Sequence, residues 1–214
     1  MRLLDARPFQ PSCRACPRLA AYLDGLRRSY PEYHNSPVAA WGRPDARLLI
    51  VGLAPGLHGA NRPGRPFVGD ASGVTLFGAL EAAELAHRAR NGGVVLRGAR
   101  ITNAVRCVPP QNRPTSDELD RCRGFLSSEL EALCPNRARR NRCVVALGRL
   151  AFDSVRKALG MRGHFAHGAS FDVTQRLRLL ATYHPSRLNT NTGRLTLAML
   201  TEVFCTARAF LEET

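Results

Sequence analysis

The chain is nearly devoid of lysine: of its 31 basic residues only Lys157 is one, and the rest are arginine. No apolar run approaches the roughly 20 residues of a membrane-spanning helix. The longest are strand-sized, such as Leu48 to Leu53. Asp5, Arg7, Pro8 and Pro11 interrupt the segment from Met1 to Cys16, which therefore lacks the apolar centre of a secretory leader. An intracellular protein without membrane attachment is the expectation. Neither GxGxxG nor GK[ST] occurs, which argues against dinucleotide and nucleoside triphosphate binding. The HxE…PCxxC pattern of zinc-dependent deaminases is missing too. There is no internal repeat, no low-complexity linker and no domain boundary, so residues 1–214 read as one domain.

What is present begins with charge. Basic residues number 31 and acidic residues 17, a formal net charge of +14 over 214 residues. Such an excess favours a polyanionic partner, of which nucleic acid is the commonest. Coding bias in a GC-rich genome would equally produce the arginine excess, but guanidinium groups grip phosphate oxygens whatever their origin. Hydrophobic residues make up 44% of the chain, enough for a full core without disulfides. Seven cysteines, an odd number, suit thiolate ligands in a reducing compartment better than a disulfide framework.

Short β-branched segments predict strands over Ala46 to Leu53, Ala99 to Val105, Cys143 to Leu147 and Arg178 to Tyr183. Helical spacing predicts helices over Ser72 to Ala89, Thr115 to Leu133, Leu150 to Leu159 and Arg194 to Leu211. Thr115-Ser116-Asp117-Glu118 carries a helix-start signature. The alternation predicts an α/β fold: a three-layer α/β/α sandwich around a four-stranded, mostly parallel sheet. Functional loops then leave the C-terminal ends of the strands.

Those loops are chemically distinctive. The first, from Gly52 to Gly73, holds six glycines, which permit close backbone approach to a ligand. It contains Phe67, which could equally belong to the core, and Asp70, which could equally cap the following helix. The second strand ends at Asn103, whose amide offers the paired donor and acceptor that a pyrimidine edge requires. The last strand runs into His184-Pro185-Ser186. Cys13 and Cys16 form a CxxC pair, and Cys107 and Cys122 a second pair; four thiolates suit zinc or an iron–sulfur cluster. Cys134 competes with Cys122 for the fourth place, whereas Cys143 and Cys205 fall in apolar patterns typical of buried thiols.

Together, Gly52-Leu53-Ala54-Pro55-Gly56, the run from Gly64 to Gly73, Asn103 to Pro110, His184-Pro185-Ser186 and Asn191 to Thr196 resemble the uracil-DNA glycosylase superfamily, specifically its type-5 branch with an iron–sulfur cluster. The resemblance extends from Cys13 to Thr196. It implies a monomeric enzyme that extrudes uracil, and other deaminated bases such as hypoxanthine, from damaged DNA and hydrolyses the N-glycosidic bond. His184 would hydrogen-bond the base, Phe67 stack on it and Asn103 read its edge, with the backbone around Gly52 and Ala54 closing the pocket. Other branches place a polar or acidic group at the position of Leu53; in this branch Asp70 is its candidate substitute. Arg65, Ser186, Arg187 and Leu188 would contact DNA, with Arg187 or Leu188 as a wedge. Arg106 and the run Arg137, Arg139, Arg140, Arg142 are further phosphate candidates, the run equally a solvated turn. Cys13, Cys16, Cys107 and Cys122 would hold a [4Fe–4S] cluster, with zinc as the alternative, tying down the segment 1–40. A non-catalytic nucleic-acid-binding module with a structural metal is the rival reading, but it leaves Asp70, Asn103 and His184 at separate strand ends unexplained.

Overall fold

The computed structural model describes residue 3, residues 6–134 and residues 139–213. In chain order the first half holds α1 (Pro17–Ser29), β1 (Trp41–Gly42), β2 (Leu48–Gly52), α2 (Ala71–Ala82), β3 (Ala86–Arg88), β4 (Val94–Leu96) and β5 (Ala99–Asn103). The second half holds α3 (Ser116–Leu133), β6 (Arg142–Leu147), α4 (Arg149–Ala158), β7 (Ser170–Thr174), β8 (Leu177–Thr182), α5 (Arg187–Asn191) and α6 (Leu197–Glu212).

All four expected strands form, and they pair in parallel in the order β5-β2-β6-β8. The sheet nevertheless has six strands rather than four. β1 adds to β5 and β7 adds to β8, both antiparallel and both at the edges. Their sequence signal is weak for a physical reason: β1 is two residues long, and β7 alternates exposed and half-buried positions on an edge. Helices cover both faces of the sheet. Leu48 and Ile50 of β2 pack with Leu76 and Leu80 of α2 and Leu200 and Phe204 of α6. Leu49 and Val51 point the other way, onto Leu126 and Leu130 of α3 and Phe152 and Val155 of α4. This two-sided burial explains why the central strands read as continuous apolar runs.

Two local departures matter for the site. The helix expected to reach Ala89 stops at Ala82: Glu84 takes a left-handed backbone (φ 60°) and the Leu85 N–H bonds back to the Leu80 carbonyl. The chain then forms an antiparallel hairpin of β3 and β4. Before the sheet, α1 starts at a proline and buries Leu19, Ala20, Leu23 and Leu26, a one-sided helical stripe.

The start of α3 follows the expected signature. The Thr115 hydroxyl accepts from the Glu118 N–H at 3.3 Å and Glu118 accepts from the Thr115 N–H at 2.8 Å. Glu118 also receives Arg18 of α1 in a forked pair at 2.8 and 2.7 Å, so one carboxylate both caps α3 and docks α1. Thr115→Ala should lower the unfolding free energy by about 1 kcal/mol, read as a fall in the urea midpoint with an unchanged slope.

Candidate active site

Because the four central strands run in one direction, their C-terminal ends share one edge of the sheet. The loops that leave this edge enclose a cavity of about 320 Å³ lined by Leu53, Ala54, Gly56, Ala60, Phe67, Asp70, Ser72, Asn103, Asn112, His184 and Ser186. The volume lies within the roughly 300–1,000 Å³ of small-molecule pockets. Four chemically distinctive side chains from three loops, Phe67, Asp70, Asn103 and His184, therefore meet around one space.

Asp70 stands at the N-cap position of α2, but its side chain makes no capping bond. Instead Oδ2 accepts from the Ala60 N–H at 3.1 Å, across the glycine-rich loop. The close approach requires glycine: a Cβ on Gly59 would lie 1.7 Å from Asp70 Oδ1. Burial raises the Asp70 pKa, and the Ala60 amide partly opposes it. The loop itself is braced from behind, where Asn61 donates to Asn35 Oδ1 at 2.8 Å and Asn35 donates to the Tyr30 carbonyl at 2.6 Å.

Phe67 holds a left-handed backbone (φ 62°), unusual for a bulky residue. Its ring lies 6.0 Å from the His184 ring, inclined by 30°. Gly52 pairs in register with Asn103, and a Cβ there would lie 2.5 Å from Asn103 Oδ1 and 2.7 Å from the Phe67 ring. Gly52 thus makes room for two cavity residues and does not itself line the cavity, whereas Ala54 does. His184 is shielded enough that burial pushes its pKa down to about 4, so the imidazole is neutral at physiological pH. Its carbonyl accepts from the Asn189 side chain at 2.8 Å, which ties the strand end to α5.

The expected DNA-contacting residues divide. Ser186 lines the cavity and caps α5, accepting from the Asn189 N–H at 3.4 Å. Arg65 and Arg187 are exposed beside it, and Leu188 is 74% exposed, a conspicuous apolar side chain in water. Arg106 does not fit a phosphate contact: it is 1% exposed, lies over the Phe9 ring and reaches Glu129 at 3.4 Å. Of the arginine run, Arg137 lies outside the described residues, and Arg139, Arg140 and Arg142 lead into the N-terminal end of β6, opposite the cavity. Asn112 is a cavity residue the sequence did not single out; its left-handed backbone (φ 56°), beside Gln111 at φ 55°, marks it only once coordinates exist.

Cys13, Cys16, Cys107 and Cys122 line a second, small cavity with Leu19, Val105 and Phe125. Cys134 is excluded from this group: it is buried in the apolar layer that holds Leu49, Val144 and Phe152. Burial and the facing Cys122 push the Cys107 thiol up to about 12, and burial pushes Cys122 up to about 11. Four thiols lining one apolar niche are a donor set suited to a cationic centre. Among the described residues, no three His, Cys, Asp or Glu side chains stand close enough to hold a single metal ion.

A family model described as the uracil DNA glycosylase superfamily matches residues 39–208. The type-5 uracil-DNA glycosylase of Pyrobaculum aerophilum is 45% identical over 207 residues, covering 92% of this chain and 88% of that protein. The type-5 uracil-DNA glycosylase of Thermus thermophilus is 43% identical over 208 residues, covering 92% and 93%. A type-4 uracil-DNA glycosylase, from Thermotoga maritima, is 29% identical over 82% of this chain and 83% of its own. The chain belongs to the uracil DNA glycosylase superfamily, in its type-5 branch.

Proposed function

We propose that this chain is a monofunctional DNA glycosylase that hydrolyses the N-glycosidic bond of uracil in DNA and leaves an abasic site. The observation that carries the reading is the meeting of Phe67, Asp70, Asn103 and His184 around one cavity. A module that only binds nucleic acid has no use for that meeting.

The reaction breaks the bond from sugar C1′ to the base, with the electron pair leaving on the base, while water adds to C1′ and loses a proton. The transition state carries positive charge on the sugar and negative charge on the departing base. His184, neutral at pH 7, donates to the base oxygen where the negative charge develops. Phe67 stacks on the extruded ring, and Asn103 pairs with its edge. Leu53 is an alkyl group and cannot hold water, so ionised Asp70 takes that task, orienting the nucleophile and stabilising the cationic sugar. The same cavity also accepts other deaminated bases, hypoxanthine among them. Leu188 or Arg187 fills the space the base vacates, with Arg65 and Ser186 on the backbone.

The four thiols that line one niche, Cys13, Cys16, Cys107 and Cys122, would hold a [4Fe–4S] cluster, with zinc as the alternative. Such a group would cross-link the N-terminal segment to the loop after β5 and to α3. The enzyme works as a monomer in the reducing interior of the cell.

Asp70→Ala and His184→Ala should each slow single-turnover release of uracil from duplex DNA by about 10²- to 10⁴-fold; wild-type rates in both would remove the mechanism. The pH profile carries a second test. His184 stays neutral down to about pH 4, so the rate should show no limb near pH 6.5, where a free imidazole titrates. Loss should come at lower pH, where Asp70 and His184 take up protons. For the cluster, purified Cys122→Ser should lose iron and its broad visible absorbance, while Cys134→Ser retains both. Stoichiometric zinc in colourless wild-type protein would refute the assignment.

A further inference from the structure

A larger cavity, of about 500 Å³, abuts the one at the strand ends, with Phe67 and Asp70 as the shared wall. Its remaining walls come from Trp41, the start of α2, the β3–β4 hairpin and Arg187. Three guanidinium groups from three separate segments, Arg65, Arg88 and Arg187, border it, and among the described residues that line it Asp70 is the only carboxylate. Two of these arginines are pre-positioned. Arg65 lies over the Trp41 ring at 5.2 Å. Arg88 is held by Glu81 at 2.6 Å and donates to the Gly92 carbonyl at 3.4 Å, while its side chain stays 48% exposed. Val74 adds an apolar surface that is 71% exposed to the same space.

We propose that the β3–β4 hairpin is a DNA-binding element, and that this groove holds the phosphodiester backbone of the lesion strand on one side of the extruded nucleotide. The proposal rests on the glycosylase reading, since the shared wall matters only if a nucleotide enters the first cavity. A nucleotide seated against Phe67 leaves its neighbour's phosphate at that wall, within the span of the three arginines. Arginine forks bind such oxygens in pairs, and arginines already held in place lose less freedom on binding than unrestrained ones. The net charge of +14 draws DNA to the molecule as a whole; the groove, continuous with the cavity, gives one strand a track.

The test reads binding, not excision. The intact protein is titrated, across a range of salt concentrations, into a labelled duplex carrying a tetrahydrofuran abasic analogue, which has no base to release. Arg88→Ala should reduce the slope of log affinity against log salt by about one, and Arg88→Lys should restore it. Arg176→Ala, in the turn between β7 and β8 and outside the groove, should keep the wild-type slope. Shortening the duplex on one side of the analogue should abolish the difference between wild type and Arg88→Ala, and shortening it on the other should not. A wild-type slope in Arg88→Ala, an equal loss in Arg176→Ala, or a deficit indifferent to both truncations would overturn the proposal. Failure of the wild-type protein to release uracil would count against the glycosylase reading instead, since the slopes do not depend on it.

Discussion

The site depends on one backbone constraint, the left-handed conformation of Phe67 (φ 62°). Such a conformation costs about 1–3 kcal/mol and persists only where surrounding structure over-determines it. Here the determinants are the bare Cα of Gly52 beneath the ring and the half-buried His184 side chain beside it. With the backbone so turned, the ring faces the cavity while the next residues swing Asp70 across to the Ala60 amide. Aromatic and carboxylate are therefore aimed by the same bend, and both also wall the second groove.

Electrostatics separates the two halves of the molecule's chemistry. Burial in the cavity at the strand ends acts oppositely on a base and an acid: it holds His184 neutral, and it works against ionisation of Asp70, which the Ala60 amide partly restores. Behind it, charge is buried for structure. Arg106 lowers its desolvation cost through Glu129 and Phe9 and donates its backbone N–H to Cys122 Sγ at 3.3 Å, which places a cation behind the four thiols. Glu129 in turn holds Arg100 of β5 at 2.6 Å, so the thiol-bearing loop and the sheet share one carboxylate.

The legible parts of the fold were those with strong local signals. Fully buried parallel strands read as apolar runs, and the Thr115–Glu118 start of α3 reads as a reciprocal cap. The site residues were legible as types in a motif order: Phe67, Asp70, Asn103 and His184. Less was visible where pairing rather than periodicity makes the element. β1 exists because Trp41 and Gly42 lie against Ile101 and Arg100. The hairpin exists because Glu84 terminates α2, which no hydrophobic pattern forbids from continuing. The Arg106 assignment failed for a related reason: sequence proximity to a loop motif does not say whether a side chain points out or in.

By itself, the amino-acid sequence determined the parallel core, the strongly basic charge, and the identity of the side chains that meet at the strand ends, since these follow from residue chemistry and local spacing. Only the tertiary structure decided that Asp70 reaches across the loop instead of capping α2, that Cys122 rather than Cys134 joins the other three thiols, and that a basic hairpin flanks the cavity. Each of these is a choice between alternatives of equal local propensity. Contacts between segments distant in the chain make that choice, and local spacing carries no record of them.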